Sequence, residues 1–148
     1  MPAAVGNELI ALYNAGNWSQ LVTAADRVIA RFPRNPFGWR ASGKALLQLG
    51  RLPEAIEKLS KVVKLAPADA DAFNDLGSAL FDSGRAEEAV VSYRRSVELN
   101  PRGTEAYANL GRVLCTLGRF EEAAAWCRQA IEVDPRAAVA HNNLGNAL

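Results

Sequence analysis

Few side chains in this sequence could support nucleophilic or metal chemistry, and they lie far apart. His141 is the only histidine, and Cys115 and Cys127 are the only cysteines. A cysteine nucleophile needs a base beside it, often a histidine, and a structural zinc site needs several cysteines or histidines at short spacing. Neither arrangement is present. We therefore expect no catalytic site, no metal site and no cofactor, and the chain is predicted not to be an enzyme.

The charged and apolar residues favour neither nucleic acid nor membrane as a partner. The formal net charge is +1, and no basic run is longer than Arg94–Arg95, whereas a nucleic-acid binder usually carries a basic face. No stretch approaches the ~20 apolar residues that span a bilayer, and the first residues do not resemble a secretory signal. Two thiols without a CxxC pair suggest a reducing compartment, so the predicted localisation is cytoplasmic.

Glycine and proline recur every 34 residues along the chain. The three series are Pro33, Pro67, Pro101 and Pro135; Gly16, Gly50, Gly84 and Gly118; and Gly43, Gly77, Gly111 and Gly145. A fixed period of this length is typical of repeat proteins, in which each unit is one supersecondary structure that stacks on its neighbours.

Each unit is predicted to contain two helices joined by a tight turn, as the second unit illustrates. Asn35 suits an N-cap and Pro36 suits the first helical position. Gly50 ends this helix, because glycine adopts the left-handed conformation at little steric cost. Pro53 opens the second helix, and Pro67 stops it because proline has no N–H to donate.

Apolar residues follow helical spacing inside each unit. Phe73, Leu76 and Leu80 form one stripe in the third unit, and Tyr93 lies on the helix that faces it. Gly77 lies inside this stripe, where glycine costs about 1 kcal/mol relative to alanine. We expect close approach of the two helix backbones to offset this cost.

The residue order within a unit resembles the tetratricopeptide repeat. The fourth unit carries its aromatic, Leu-Gly, Gly, aromatic, Ala and Pro signature in Tyr107-Ala108-Asn109-Leu110-Gly111, Gly118-Arg119-Phe120-Glu121-Glu122-Ala123 and Asp134-Pro135. The resemblance covers residues 1–148 as a single domain, with repeats at about 2–35, 36–69, 70–103 and 104–137 and a partial fifth at 138–148. It implies an all-α fold, a right-handed α-α superhelix (solenoid) of antiparallel helix pairs. His141 stands at the aromatic position of the fifth repeat, where a packing role is expected.

The resemblance also implies where a partner binds. In this family the first helix of each repeat lines a concave groove, to which the second, fifth, sixth, ninth, twelfth and thirteenth positions contribute. The implied peptide-binding groove includes Arg40, Lys44, Asp71, Asn74, Asp75, Ser78, Asn109, Arg112, Asn142, Asn143 and Asn146. It is expected to be basic at Arg40 and Lys44, acidic around Asp75, and then rich in amides, which can pair with the backbone of an extended peptide.

Two groove patterns known from this family fit the chain to different degrees. The carboxylate clamp of some chaperone-associated repeats requires Lys, Asn, Asn, Lys and Arg in order. At those positions this chain has Arg40, Lys44, Asp75, Glu105 and Asn109. Asp75 and Glu105 would repel a carboxylate, so no clamp is expected. Asn109 and Asn143 are similar to the asparagine ladder of bacterial O-linked N-acetylglucosamine transferase-type repeats, which holds the backbone of substrate proteins.

Three functional hypotheses follow from this resemblance. The first is a protein–protein interaction scaffold that binds a protein or peptide segment without catalysis. The chain stops within the first helix of the fifth repeat, where Val139, Leu144 and Leu148 should form an uncovered apolar stripe. This favours truncation, and hence the substrate-recruiting N-terminal arm of a longer enzyme such as a glycosyltransferase. The third hypothesis is self-association through the exposed C-terminal helix.

Overall fold

The computed structural model describes every residue from Met1 to Leu148 and contains nine α-helices and no strand. The helices form two compact units, Met1–Ala68 and Asp69–Leu148. The first unit contains α1 Ala3–Asn14, α2 Trp18–Arg31, α3 Pro36–Gln48 and α4 Leu52–Leu65. The second contains α5 Ala70–Asp82, α6 Ala86–Leu99, α7 Thr104–Thr116, α8 Phe120–Val133 and α9 Ala138–Ala147. The predicted all-α class is confirmed.

The helices begin with the predicted period of 34 residues. The first helices α3, α5, α7 and α9 begin at residues 36, 70, 104 and 138, and the second helices begin at residues 18, 52, 86 and 120. Asn35 is the N-cap of α3, and its Oδ1 accepts a hydrogen bond from the backbone N–H of Phe37 at 2.9 Å. Helix α4 begins at Leu52, one residue before the predicted Pro53.

A glycine ends the first helix of each complete repeat in the left-handed conformation. At the end of α3, Gly50 has a φ of +71°. Its N–H donates to the carbonyl of Leu47 at 3.0 Å, and the N–H of Arg51 donates to the carbonyl of Leu46 at 2.9 Å. This pair of bonds satisfies two carbonyls that a helix end otherwise leaves without partners. The other three turns use Gly16, Gly84 and Gly118, with φ values of +70°, +82° and +73°.

A second glycine lies in the middle of the first helix, against a side chain from the second helix of the same repeat. The pairs are Gly43 with Leu59, Gly77 with Tyr93 and Gly111 with Cys127. A Cβ atom at Gly77 would lie only 2.7 Å from Cε1 of Tyr93. The expected close approach of the helices is therefore confirmed, and it requires the absence of a side chain at this position.

The first repeat departs from this pattern, and the fifth is represented only by its first helix. Leu9 stands where the other repeats have glycine, and Ala25 stands opposite, where they have a larger side chain. Both are fully or almost fully buried in the core of the first unit. The large side chain thus comes from the first helix instead of the second. At Gly145, in α9, an added Cβ would have no neighbour within 4 Å.

Replacing Gly77 or Gly145 with alanine should shift the free energy of unfolding in opposite directions. Gly77→Ala places a methyl group against the ring of Tyr93, so we expect a loss of about 1–3 kcal/mol from overpacking. Improved helix propensity offsets roughly 1 kcal/mol of that loss. Gly145→Ala meets open space and should gain up to about 1 kcal/mol from propensity alone. Urea unfolding followed by circular dichroism measures both, and equal midpoint shifts would contradict the contact.

Candidate functional site

In the first unit, the predicted groove residues Arg40 and Lys44 lie half-buried on α3, beside an apolar cavity of about 140 Å³. Helix α1 provides the opposite wall through Ile10 and Tyr13, which are 48% and 40% exposed. The Nζ atom of Lys44 lies 6.0 Å from the centroid of the Tyr13 ring. The arrangement combines an apolar floor with cations at its edge, which suits an apolar group next to a negative charge.

The sequence prediction named no groove residue in the first repeat. Ile10 and Tyr13 occupy the ninth and twelfth positions of the repeat that begins at residue 2, and Lys44 and Leu47 occupy the same positions in the next one. The signal was therefore present in the sequence. Glu8 and Leu9 stand at the Leu-Gly positions of this repeat, which makes its phase harder to recognise.

In the second unit, a line of amides connects two of the first helices. Nδ2 of Asn109 on α7 donates to Oδ1 of Asn74 on α5 at 3.1 Å, and Nδ2 of Asn74 donates to Oε1 of Glu105 at 3.2 Å. Asn74 is 8% exposed, whereas Asn109 is half-buried and Glu105 is exposed. The predicted groove residues Asn74 and Asn109 thus meet Glu105 on one surface, and Asn74 is hydrogen-bonded to both.

Further along the same helices, polar and aromatic side chains continue this surface. The Ser78 hydroxyl lies 3.1 Å from the Tyr93 hydroxyl and also donates to the carbonyl of Asn74 at 3.1 Å. The guanidinium carbon of Arg112 lies 4.9 Å from the centroid of the Phe81 ring, a cation–π contact. Burial raises the pKa of Tyr93, while Ser78 and Arg112 act in the opposite direction. The Tyr93 hydroxyl is therefore neutral and donates or accepts hydrogen bonds at neutral pH.

The asparagines of α9 differ in their surroundings. Asn142 and Asn146 are exposed, as is Asp71 on α5, while Asp75 is half-buried. Asn143 is only 6% exposed, and its Nδ2 donates to the carbonyl of Ala108 on α7 at 2.8 Å. The Asn143 amide therefore fastens α9 to α7, and its contact with a peptide remains a prediction.

The surroundings of the two cysteines favour neutral thiols, and the imidazole of the histidine is hydrogen-bonded. Burial, with a smaller contribution from Cys115, raises the pKa of Cys127 to about 11, and burial also raises the pKa of Cys115. Instead of the expected packing role, His141 is exposed, and its Nε2 lies 2.9 Å from the carbonyl oxygen of Pro135. Trp39 occupies the same position in the second repeat and donates to the Pro33 carbonyl in the same way.

Two further structural observations concern metals and membranes. No three His, Cys, Asp or Glu side chains are grouped closely enough to hold a metal ion. None of the helices has the length and apolar character that crossing a bilayer requires.

Two sequence profiles of one family match overlapping parts of the chain. The profile described as "Tetratricopeptide repeat" matches residues 74–138, and the one described as "TPR repeat" matches residues 43–84. A comparison with curated proteins finds no match.

Solved structures with the same fold cover most of the chain. The crystal structure of MamA superposes with a TM-score of 0.88 at 27% identity, over 99% of this chain and 83% of MamA. YrrB, described as a TPR protein with an unusual peptide-binding site, gives 0.84 at 23% identity, over 98% of this chain and 75% of its own. The first TPR of Spaghetti (RPAP3), solved with a bound HSP90 peptide, superposes with a TM-score of 0.72 at 24% identity. The match covers 76% of this chain and 89% of the Spaghetti chain. At these identities, YrrB and Spaghetti show the fold alone.

The repeat signature, the two profiles and the helical solenoids among its structural neighbours agree on one class. The chain belongs to the tetratricopeptide repeat family.

Removing the Asn143 amide should destabilise the fold, whereas removing the neighbouring Asn142 amide should not. Asn143→Ala removes the buried hydrogen bond that joins α9 to α7, while the Ala108 carbonyl keeps its partner within α7, so we expect a loss of about 0.5–1.5 kcal/mol. Asn142→Ala changes an exposed side chain and should stay within about 0.5 kcal/mol of wild type. Thermal unfolding of both variants measures the difference. Equal stability of the two variants would show that the bond to Ala108 contributes little.

The two thiols should be alkylated in a fixed order. Cys115 is half-buried and Cys127 fully buried, so iodoacetamide at pH 8 should modify Cys115 first. The folded state holds the pKa of Cys127 above the ordinary value of about 8.5. The stability that comes from keeping this thiol neutral is present below about pH 8.5 and is lost as the pH rises towards about 11. Mass spectrometry of time points checks the order, and faster labelling of Cys127 than of Cys115 in native protein would contradict it.

Proposed function

We propose that this chain is a protein–protein interaction scaffold that binds a polypeptide segment along the first helices of its repeats, without catalysing a reaction. The observation that carries the proposal is the amide line of the second unit. Asn109 is held by Asn74 in a fixed, partly exposed position. An amide carries both donor and acceptor atoms, so it can pair with peptide backbone whatever the peptide sequence.

Fixing these side chains before binding reduces the entropy lost when a partner docks. Asn74 is bonded on both sides, and the Ser78 hydroxyl bonds to the Asn74 carbonyl and to Tyr93. Arg112 is held against Phe81. The surface thus resembles a prearranged binding site more than a set of freely moving solvated groups.

A peptide is also the kind of partner described for two proteins that share the fold. YrrB is described as having a peptide-binding site, and the first TPR of Spaghetti was solved with an HSP90 peptide. We carry over only the class of partner. Asp75 and Glu105 stand at positions where a clamp for a carboxylate terminus needs an amide and a cation, so the partner segment is proposed to bind through its interior.

A pull-down with the full chain as bait tests the binding surface. We expect Lys44→Ala together with Asn109→Ala to abolish capture of the partner that the wild-type chain binds in a lysate of its native cells. The reason is the loss of one cation and one amide that pairs with peptide backbone. The matched control is Lys64→Ala with Gln129→Ala, which changes exposed residues on the second helices α4 and α8.

Circular dichroism should show unchanged helicity in both double variants. Undiminished capture by the Lys44/Asn109 variant would refute the first-helix surface, and loss of capture by the control alone would move the site to the second helices.

A second candidate is self-association through α9, favoured by the 60% exposure of Val139 and the 80% exposure of Leu148. Sedimentation velocity over a hundredfold range of concentration tests it, with Val139→Ser as the comparison. A monomer at every concentration would eliminate it.

A further inference from the structure

The two units carry opposite net charges, although the whole chain is almost neutral. Residues 1–68 contain nine lysines and arginines against four aspartates and glutamates, a formal charge of +5. Residues 69–148 contain eight basic and twelve acidic residues, a formal charge of −4. A partner segment that reaches the first unit therefore enters a positive field, which attracts acidic segments and repels basic ones.

The apolar cavity belongs to this positively charged unit. Its walls are Leu9, Ile10 and Tyr13 from α1 and Phe37, Arg40, Ala41 and Lys44 from α3. The surface that faces the cavity is almost wholly apolar, and the two charged residues of the wall are both cations. Two large apolar side chains, Ile10 and Tyr13, remain about half exposed beside it. Covering them removes apolar area from water, which favours binding.

The size of the cavity limits what can fill it. Its volume is about 140 Å³, and an apolar cavity of about 150 Å³ accepts a molecule of the size of benzene. One leucine, methionine or phenylalanine side chain is therefore of the size that fills it. A single buried apolar side chain of this kind is typical of the anchors that dominate peptide and protein interfaces.

We propose that the cavity between α1 and α3 binds one apolar side chain of a partner peptide, flanked by acidic residues whose carboxylates meet Arg40 and Lys44. This deepens the proposed scaffold function and rests on it. The position of Lys44 connects the two parts of the motif, because its Nζ lies over the ring of Tyr13 in the cavity wall, 6.0 Å from the ring centroid. A carboxylate on a residue next to the anchor can reach that cation while the anchor fills the cavity.

Three acetylated and amidated peptides test this motif directly: Gly-Gly-Glu-Leu-Glu-Gly-Gly, the same with Ala for Leu, and the same with both Glu replaced by Lys. Titration of the ¹⁵N-labelled full chain, followed by amide chemical shifts, gives both the affinity and the location of binding. We expect shifts in α1 and α3, and a loss of about tenfold or more when Leu becomes Ala. The Lys peptide should bind at least tenfold more weakly than the Glu peptide at low salt, and the difference in affinity should be smaller in 0.5 M NaCl.

Three variants separate the two parts of the motif. Ile10→Gln changes an exposed wall residue. It should reduce the affinity ratio between the Leu and Ala peptides and leave the ratio between the Glu and Lys peptides unchanged. Lys44→Gln should reduce the ratio between the Glu and Lys peptides and leave the ratio between the Leu and Ala peptides unchanged. Lys64→Gln, on α4, is the matched loss of one charge away from the cavity and should alter neither ratio at 0.15 M NaCl.

Equal binding of all three peptides, or shifts confined to other helices, would overturn the motif. Dimerisation would also overturn it if Ile10→Gln abolished the dimer and the Leu peptide did not compete with it, because the cavity would then bind a second copy.

If none of the peptides binds and the Lys44/Asn109 variant still loses its natural partner, the proposed scaffold function is supported and the motif is wrong. If the peptides behave as expected and capture of the partner is unchanged by that variant, the motif stands and the proposed surface for the natural partner falls.

Discussion

The contact between a glycine of one helix and a larger side chain of the next fixes the geometry of the second, third and fourth repeats. Tyr93 occupies the space that a Cβ at Gly77 would need, so the distance between α5 and α6 is set by this pair. Successive residues of a helix lie about 100° apart, so Ser78 and Asn74 are directed beside this contact. The packing of the core thus decides which residues form the candidate binding surface.

The polar surface of the second unit is also part of the structure. Asn74 is almost completely buried, and a buried amide without partners would be costly, so its bonds to Asn109 and Glu105 link α5 to α7 and stabilise the fold. The same bonds keep Asn109 in one orientation. Structural and binding roles therefore coincide in these residues, and a change at Asn74 would disturb both.

The sequence predicted the helices well because local residue chemistry fixes their ends. Asn35 caps α3 and Gly50 ends it, whatever surrounds them. The environment of a surface residue depends instead on its neighbours. Asn109 and Asn143 hold equivalent repeat positions, yet the first bonds to a side chain and stays half-buried, while the second bonds to the Ala108 backbone and is buried. Likewise, the cavity beside Ile10 depends on how α1 meets α3 and could not be derived from periodicity.

The reversed pair in the first repeat bears on how such a chain can be rearranged in evolution. A genetic crossover in the turn after α1 would join Leu9 to the second helix of another repeat and set it against Leu59 or Tyr93, where two large side chains compete for one space. A crossover in a loop between repeats keeps each pair together. For the first repeat the inheritable module is thus the hairpin and not the single helix, whereas a crossover between the turns of the next three repeats would still set a glycine against a larger side chain.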